Sequence, residues 1–364
     1  MRIGIITFWN SNDNYGQQLQ CFALQMVLKQ LGHDPFLIRY IPRVRPRSHS
    51  LFFLVNFIKS SVKFIFNIRT KDRKFYAFRK MNFIQTRFYF GIEDIRLHPP
   101  VADCYITGSD QVWSMLLNDI NNKSYYLDFG ASNVKRISYA ASFGMKDYPS
   151  DLLDNLRQCL DRFDNISVRE KDGVNICNSL GIKASCVLDP TMLLNIDYYK
   201  SLFKKKRCEY YVYIYHLNIL TPEDLCWNEL YNNIASNKLV CTVSSGKIVA
   251  KEILPNVEYV YPEIQEWLSL IFYSSLFITT SFHGVVFSIL FHKKFAVFPL
   301  RDSFSYGNNR IYDLLTPLGL EYRIINDSNS ISSVISTEID WADVDSKLLD
   351  LKNESFKFIL NSLI

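Results

Sequence analysis

The sequence predicts an α/β protein built from two Rossmann-like domains that face each other across a cleft. Three observations support this prediction. Strand-like and helix-like segments alternate along almost the whole chain, which is typical of parallel sheets with helices on both faces. The alternation restarts after Asp189-Pro190 and leaves two halves of similar length. The length of 364 residues suits two domains, and 48% hydrophobic against 21% charged residues is ordinary for a folded soluble chain.

The first half of the chain, residues 1–190, is predicted to form the N-terminal domain. It begins with a strand over 3–8, a helix over 16–31 that stops at Gly32, and a strand over 35–40. The later segments are strands at 104–107, 136–141, 166–168 and 184–188, and helices at 151–162 and 171–180. These alternating segments predict a parallel sheet.

The second half, residues 191–340, repeats the pattern and is predicted to form the C-terminal domain. Apolar runs predict strands at 210–216, 238–243, 276–280 and 295–298. Helices are predicted at 222–236, 264–273, 283–292 and from 309 to 315. A last amphipathic helix, within 341–364, begins near Asp343 and ends near Leu363.

A basic stretch interrupts the first half. Between residues 39 and 90 there are 13 Lys and Arg residues and one acid, Asp72. Within it, Leu51, Val55, Ile58 and Val62 share one face of a predicted helix, and Lys59 and Lys63 lie opposite them. The two lysines argue against a transmembrane span. Two interpretations of this helical insertion at about 45–90 remain open: a surface helix packed on the core, or a helix lying on an anionic membrane surface.

Composition and missing motifs exclude several kinds of protein. A net charge of +5 is too mild to predict a nucleic-acid partner, and the eight cysteines form no C-x-x-C pair. No dinucleotide-binding, P-loop, nucleophile-elbow or H-E-x-x-H motif is present. We therefore expect neither a metal ion nor a cofactor. The N-terminus resembles a strand rather than a signal peptide, so we expect a cytoplasmic protein.

Polar residues at strand ends are the candidates for chemistry, because ligands of parallel α/β sheets bind outside the carboxyl ends of the strands. His283 follows an apolar strand and opens an apolar helix, where free backbone N–H groups favour an anion. Ser281 and Gly284 flank it. A histidine at such a position is often structural, but the two apolar elements and the adjacent glycine favour a functional role here.

Other strand ends carry residues that either cap helices or bind ligands. Asn14 and Gly16 follow the first strand. A second group, Ser109, Asp110 and Gln111, follows the strand at 104–107, and Ser142 ends a third strand. Capping and binding remain open for each of them, because both use the same free N–H groups and side-chain oxygens.

Three arginines add positive charge to the same edge of the predicted sheets. Arg169 ends the strand at 166–168, and Arg301 and Arg310 follow the strand at 295–298. A guanidinium at a strand end either pairs with a carboxylate or binds an anion. One histidine and three arginines without an evident metal site predict a small polyanionic substrate.

At these motifs the chain resembles the polysaccharide pyruvyl transferase family. The matching stretches occur in the family's order and span residues 1 to about 325. They are NYG at 14–16, GSDQVW at 108–113, YAASFG at 139–144, VRE at 168–170, LDPT at 188–191, SFHG at 281–284 and RI at 310–311.

The resemblance implies a fold similar to that of GT-B glycosyltransferases, and transfer of pyruvate from phosphoenolpyruvate to two hydroxyls of a sugar, which forms a cyclic ketal. The family's important histidine corresponds to His283 and its cleft arginine to Arg169. Some members carry an arginine where this chain has Ser281, so Arg301 or Arg310 is expected to supply the missing clamp. The acceptor is expected to be a sugar of a surface polysaccharide or its lipid-linked precursor.

This chemistry assigns roles to the candidate residues. Protonation of the donor's methylene makes C2 electrophilic, which requires an acid, a base and fixed positive charge. His283 is expected to be the acid or to accompany the departing phosphate, and Asp110 is the candidate base. The main alternative is a GT-B-type glycosyltransferase that uses a nucleotide sugar, for which Glu321 is the candidate ribose-binding carboxylate. A membrane-bound acceptor would place the protein peripherally at the inner face of the membrane.

Overall fold

The computed structural model describes residues 1–43, 73–204, 210–326 and 330–364. The described chain forms two parallel β-sheets, each enclosed by helices, as the sequence predicts. The strands of the first sheet are β1 (Arg2–Ile6), β2 (Asp34–Ile41), β3 (Gln85–Phe90), β4 (Cys104–Thr107), β5 (Lys135–Ala141), β6 (Asn165–Val168) and β7 (Ser185–Cys186). Those of the second sheet are β8 (Tyr211–His216), β9 (Lys238–Val243), β10 (Glu258–Tyr259), β11 (Leu276–Thr279) and β12 (Phe295–Val297).

Both sheets have the strand order of a doubly wound fold. In the first sheet the order is β3-β2-β1-β4-β5-β6-β7, and in the second it is β10-β9-β8-β11-β12. Strand order therefore reverses between β1 and β4 in one sheet and between β8 and β11 in the other. Loops leave these strand pairs in opposite directions, which opens a crevice at the carboxyl ends where ligands of this fold bind.

Helices connect the strands and cover both faces of each sheet. In the first half they are α1 (Tyr15–Gln30), α2 (Phe75–Asn82), α3 (Gly91–Leu97), α4 (Leu153–Leu160), α5 (Lys171–Ser179), α6 (Pro190–Leu193) and α7 (Ile196–Ser201). In the second half they are α8 (Trp227–Ile234), α9 (Ile264–Tyr273), α10 (Phe282–Leu290), α11 (Asn309–Leu315), α12 (Ile331–Ser336) and α13 (Trp341–Leu363). Short 3₁₀ turns occupy Val112–Ser114, Ile120–Tyr126, Ser150–Leu152, Pro222–Leu225, Asp302–Asn308 and Glu321–Arg323.

The core strands read as continuous apolar runs because helices cover them on both sides. Every residue of β8 is buried, including three tyrosines. Two helices share this burial: α1 buries twelve of its 16 residues, and all nine residues of α10 are buried. This burial holds the beginnings of α1 and α10 rigidly between the two sheets.

The basic stretch differs in part from its prediction as a helical insertion over 45–90. Its end, Gln85–Phe90, is an edge strand that pairs in parallel with β2, and Phe75–Asn82 is a short helix. The predicted amphipathic helix with Lys59 and Lys63 lies outside the described residues. Arg73, counted among the basic residues, is buried and donates to the backbone oxygen of Val243 in the second sheet, so it is not part of a solvated surface.

Two further differences have local causes. The predicted helix over 222–236 is broken at Cys226, whose φ of 47° lies in the left-handed region, so a 3₁₀ turn precedes α8. The short edge strand β10 falls outside every predicted segment, because two residues are too few to show a period. Among the helices that the structure describes, none is long and apolar enough to cross a membrane.

Candidate functional site

The candidate site lies where the beginnings of α1 and α10 meet, at the switch points of the two sheets. The imidazole of His283 packs directly on the backbone of Gly16: a Cβ added at Gly16 would lie 2.1 Å from His283 Nδ1. Only glycine permits this approach. A histidine from one domain therefore meets the beginning of a helix from the other, and helix beginnings favour a nearby anion.

The beginning of α10 fixes the orientation of His283. Ser281 caps the helix, since its Oγ accepts a hydrogen bond of 3.3 Å from the backbone nitrogen of Gly284. Gly284 packs against the end of β11, where an added Cβ would lie 2.4 Å from Thr279 Oγ1. Ser281 is thus a capping residue, and Gly284 allows the helix to start close to the strand. Both place the buried His283 on the first turn, facing the other domain.

Asp189 is the centre of the polar cluster. Its Oδ2 lies 2.5 Å from Ser109 Oγ, 3.2 Å from Arg169 Nη1 and 3.5 Å from His283 Nε2. Its Oδ1 accepts hydrogen bonds from the backbone and hydroxyl of Thr191, at 3.0 and 2.6 Å. Asp189 was not among the site residues predicted from the sequence, although the Asp-Pro pair at the beginning of α6 was recognised there. The structure does unite Ser109, Arg169 and His283.

The charge of Asp189 is stabilised by its surroundings. Burial alone would raise the pKa of this fully buried carboxyl, but the His283 and Arg169 charges and the Ser109 hydroxyl outweigh burial and hold its pKa well below its usual range. The carboxylate is therefore ionised at neutral pH, and its Oδ2 faces Nε2 of His283, which has no hydrogen-bond partner among the described residues.

Two guanidiniums approach the same aromatic ring. The Cζ atoms of Arg169 and Arg310 lie 4.7 and 5.6 Å from the centre of the Phe282 ring. Nε and Nη2 of Arg169 and Nε of Arg310 are buried and have no hydrogen-bond partner among the described residues. Burial, with repulsion from Arg169, lowers the pKa of Arg310 to about 10. Two neighbouring cations with unused N–H groups form an anion-binding arrangement.

Glu170 is a second buried carboxyl that the sequence analysis did not single out as a site residue. Its Oε1 accepts hydrogen bonds from the backbone nitrogens of Phe143 and Gly144, at 2.8 and 3.3 Å. Burial raises its pKa, an effect that Arg169, Ser142, Gly144 and Arg310 partly offset. Ser142 therefore lies at the site, beside Glu170. Glu170 was not identified from the sequence, because a glutamate at this position is also typical of the beginning of a helix.

Asp110 and Gln111 follow β4 in a strained turn. Asp110 has a φ of 87°, uncommon for a residue with a side chain, and its backbone oxygen accepts a hydrogen bond of 3.0 Å from Ser142. Its charge counteracts the lowering of the pKa of Arg310, and its Oδ1 accepts a hydrogen bond of 2.8 Å from the backbone nitrogen of Gln111. The side chain of Gln111 lies against Gly144. The structure thus brings Asp110 and Gln111 to the edge of the cluster.

Two predicted residues do not join the cluster through their observed contacts. Asn14 caps α1, since its Oδ1 accepts a hydrogen bond of 3.1 Å from the backbone nitrogen of Gln17. Arg301 is exposed, and its guanidinium contacts the sulfur of Cys226 at 3.5 Å, at the beginning of α8. Its role as a clamp stays a prediction, since its observed contact lies outside the cluster that Arg310 joins. Glu321 is likewise exposed.

Chemically, the cluster combines an ionised carboxylate, a histidine and two cations at a domain boundary. Such a set can bind a dianion and exchange a proton with it. Among residues 1–43, 73–204, 210–326 and 330–364, no group of three or more His, Cys, Asp or Glu is arranged to hold a metal ion. The predicted lack of a cofactor stays a prediction.

Two doubly wound domains with polar residues gathered between their switch points define the GT-B class of fold. Within this class, the sequence model of one family, polysaccharide pyruvyl transferase, matches residues 14–302. The chain belongs to the polysaccharide pyruvyl transferase family and is a transferase of that kind. The resemblance drawn from the short motifs is confirmed.

Solved structures that resemble the chain share its fold at low identity. A UDP-N-acetylglucosamine 2-epimerase from Rickettsia bellii aligns with a TM-score of 0.55 and 8% identity, covering 99% of this chain and 96% of that one. The MnaA–UDP structure from S. aureus aligns with a TM-score of 0.50 and 12% identity, covering 98% of this chain and 91% of that one. A sequence search of curated proteins finds no match.

Proposed function

We propose that the protein transfers pyruvate from phosphoenolpyruvate to two hydroxyls of a sugar in a surface polysaccharide or its precursor, forming a cyclic ketal. The observation that carries this proposal is the pair of buried guanidiniums beside the His283–Asp189 pair, with N–H groups that find no partner in the described part of the chain. Phosphoenolpyruvate carries a carboxylate and a phosphate, so it requires two cationic contacts close together. Family membership supports the transfer of pyruvate to a polysaccharide acceptor.

Arg169 and Arg310 are the proposed contacts for the donor. Arg169 extends from the end of β6 and Arg310 from the first turn of α11, and they approach Phe282 together. Because Ser281 is a helix cap here, the arginine that some family members carry at its position has no counterpart. Arg310 compensates for it from a different element. A bidentate fork can hold either the carboxylate or the phosphate.

His283 is the proposed acid, and Asp189 is its positioning residue. One proton is transferred to the methylene carbon of the donor, which becomes a methyl group and leaves C2 electrophilic. The first sugar hydroxyl adds its oxygen to C2, and the bond from C2 to the phosphate oxygen then breaks. The helix N-termini and the two arginines stabilise the negative charge on the departing phosphate.

Asp110 is the proposed base for the hydroxyls. The second hydroxyl oxygen bonds to C2 and closes the ketal ring. The two hydroxyl protons balance the reaction, because one replaces the proton given to the methylene carbon and the other leaves with inorganic phosphate. The backbone of Asp110 is strained, and residues with a strained backbone are concentrated at active sites.

The decisive experiment incubates the protein with phosphoenolpyruvate and a panel of sugar acceptors. Release of inorganic phosphate together with the mass gain of one pyruvyl ketal on the acceptor is expected. Phosphate release without a modified acceptor would contradict the transfer. The nucleotide-sugar alternative is tested in parallel by thermal shift: stabilisation by UDP but not by phosphoenolpyruvate would overturn the proposal.

We also propose peripheral contact with the inner face of the cell membrane through the basic stretch, where a lipid-linked acceptor would be located. Each Lys or Arg near an anionic surface contributes about 1 kcal/mol, screened by salt. Co-sedimentation with anionic vesicles is expected at low salt and is expected to fall when Lys59, Lys63 and Lys71 are changed to Gln. Absent binding, or binding unchanged in this variant, would contradict membrane contact.

A further inference from the structure

An aromatic groove of about 260 Å³ lies in the N-terminal domain, at the carboxyl ends of β1 and β2. Four aromatic side chains form its walls, and polar side chains form its rim. The walls are Phe8, Trp9, Tyr40 and Tyr125, and the rim includes Asn10 and Gln17. None of these residues has a role in the donor chemistry described above.

The walls of the aromatic groove are held rigidly. The Tyr125 ring meets Phe8 at 5.2 Å and Tyr40 at 5.6 Å, both edge to face. The indole nitrogen of Trp9 donates a hydrogen bond of 3.0 Å to the backbone oxygen of Tyr40. Three of the rings are buried, whereas Phe8 is half-buried. The groove is therefore a preformed surface on which the Phe8 ring is accessible.

The aromatic groove adjoins the reactive cluster. The Thr7 hydroxyl, next to Phe8, donates a hydrogen bond of 2.6 Å to the backbone oxygen of Ser109, which precedes Asp110. The indole nitrogen of Trp113, three residues after Asp110, donates a hydrogen bond of 3.1 Å to the backbone oxygen of Tyr125. On the other side, Gln17 follows Gly16, which contacts His283. A ligand in the groove thus has one end close to the proposed base.

We propose that the aromatic groove binds one pyranose unit of the acceptor and directs its two reacting hydroxyls towards Asp110. A pyranose has an apolar C–H face and a rim of hydroxyls, which matches aromatic walls bordered by amide side chains. The cations of the neighbouring cluster hold the donor, so donor and acceptor meet near this carboxylate. The inference rests on the proposed function, because only a sugar acceptor requires such a site.

Phe8 offers a sharp test because it is the accessible ring. Phe8→Leu removes the aromatic face and keeps an apolar side chain, whereas Phe8→Tyr keeps the face. We expect Phe8→Leu to raise the acceptor KM about three- to tenfold and to leave the donor KM unchanged. Phe8→Tyr is expected to keep the acceptor KM at its wild-type value. Tyr76→Leu, at a ring that is 70% exposed on α2 and outside the groove, is the matched control and should change neither constant.

Binding is measured separately by saturation-transfer NMR on the full chain. The probes are methyl β-galactopyranoside, methyl β-glucopyranoside and methyl N-acetyl-β-mannosaminide. We expect at least one of them to receive saturation from the protein, and expect Phe8→Leu but not Tyr76→Leu to weaken the signal. If no probe binds, or if binding is equal in wild type and Phe8→Leu, the groove is not an acceptor site. A signal from UDP that Phe8→Leu abolishes, without one from the pyranosides, would also overturn the inference.

The two proposals fail in different ways. Turnover of phosphoenolpyruvate with an acceptor KM that Phe8→Leu does not change would leave the proposed function intact and overturn the groove. Pyranoside binding that depends on Phe8, without any phosphate release from phosphoenolpyruvate, would support a sugar site and contradict the donor.

Discussion

At the residue scale, three separate segments each bring a polar N–H or O–H side chain to the buried carboxylate of Asp189. Ser109 comes from the loop after β4, Arg169 from the end of β6 and His283 from α10, and all approach Oδ2 of Asp189. A buried ion pair is costly to break from one side, since the remaining charge loses its partner. Asp189 therefore contributes to stability and to the orientation of His283 at once.

Asp189→Asn is expected to lower stability by about 3–5 kcal/mol, because the Arg169 charge stays buried without its counter-ion. Turnover should fall as well, since the amide no longer orients the imidazole. Thermal unfolding and steady-state kinetics measure the two effects. Asp345→Asn, at an exposed pair with His292, is the control and should cost less than about 1 kcal/mol.

The same variant yields a pH dependence with a definite sign. The folded-state pKa of Asp189 lies below its unfolded value, so its ionised form stabilises the fold above about pH 4, the unfolded pKa. This stabilisation is lost as the pH falls further, through the folded pKa. The difference in Tm between wild type and Asp189→Asn should therefore be constant near neutral pH and shrink in acid. A difference that grows in acid would contradict the assignment.

His283→Ala is expected to reduce turnover by about 10²–10⁴-fold, because it removes the proposed acid. The chain provides a matched control in His292, which follows the end of the same helix and is stacked on Trp341. His292→Ala should retain wild-type turnover. Equal turnover in folded His283→Ala and wild-type protein would refute the role of His283.

Arg169→Lys and Arg310→Lys are expected to raise the donor KM about tenfold each, because a point charge does not replace a bidentate fork. Arg301→Lys is the control, since that side chain is exposed and contacts Cys226. The kinetics with phosphoenolpyruvate as the varied substrate decide between them. If both buried variants keep the wild-type donor KM, neither arginine binds the donor.

At the element scale, the site depends on two helix beginnings packed against each other. The first turn of α1 approaches that of α10 so closely that Gly16 is in contact with His283. Most residues of both helices are buried and closely packed, so the helices have little freedom to adjust this contact. The backbone of α1 is therefore a part of the site, although Gly16 has no side chain.

Gly16→Ala is expected to displace His283 or to shift α1, since the new Cβ would overlap the imidazole. The cost should be about 1–3 kcal/mol in stability, accompanied by a loss of turnover. Gly307→Ala is the control for stability, because the nearest atom to its new Cβ would be Nη2 of Arg310 at 3.7 Å, an ordinary contact. Unchanged turnover in Gly16→Ala would show that the contact has no role in the reaction.

The long apolar elements could be predicted from the sequence, and the marginal ones could not. Buried strands such as β8 and β11 show continuous apolar runs, so their positions and the strand-end residues Ser109, Arg169 and His283 followed from them. The edge strand β3 carries one basic residue, Arg87, and lies within the basic stretch, so it resembles a surface segment. Asp189 was missed because a carboxylate that begins a short helix also reads as a cap, and only tertiary packing shows three donors around it.

At the scale of the whole molecule, polar and aromatic contacts hold the two domains together near the site. Tyr15 of α1 stacks on Trp267 of α9 with ring centres 4.9 Å apart, and its hydroxyl donates to the Pro262 oxygen. Arg73 donates to Val243 and Ser244 in the second domain and to Asp13 in the first. The C-terminal helix α13 joins both domains, since its Ser355 hydroxyl accepts a hydrogen bond from Leu188.

Arg73→Gln is expected to destabilise the protein by about 2–4 kcal/mol, because it removes several buried hydrogen bonds between the domains. Its neighbour Lys74 is a matched control, since this largely exposed side chain pairs with Glu263 at the surface. Lys74→Gln should cost less than about 1 kcal/mol. Thermal unfolding measures both. A similar Tm in the two variants would contradict the assigned role of Arg73.

The division of the cluster between the domains has a consequence for futile hydrolysis. His283 belongs to the second domain, whereas Ser109 and Arg169 belong to the first, and Asp189 lies at the junction. Separating the domains would withdraw the imidazole from the carboxylate and from Gly16, so a donor bound to an open molecule would meet no oriented acid. In the proposed reaction, water at such a donor would meet no acid to protonate the methylene carbon. The enol phosphate would therefore be broken down only where both domains contribute their side chains to the cluster.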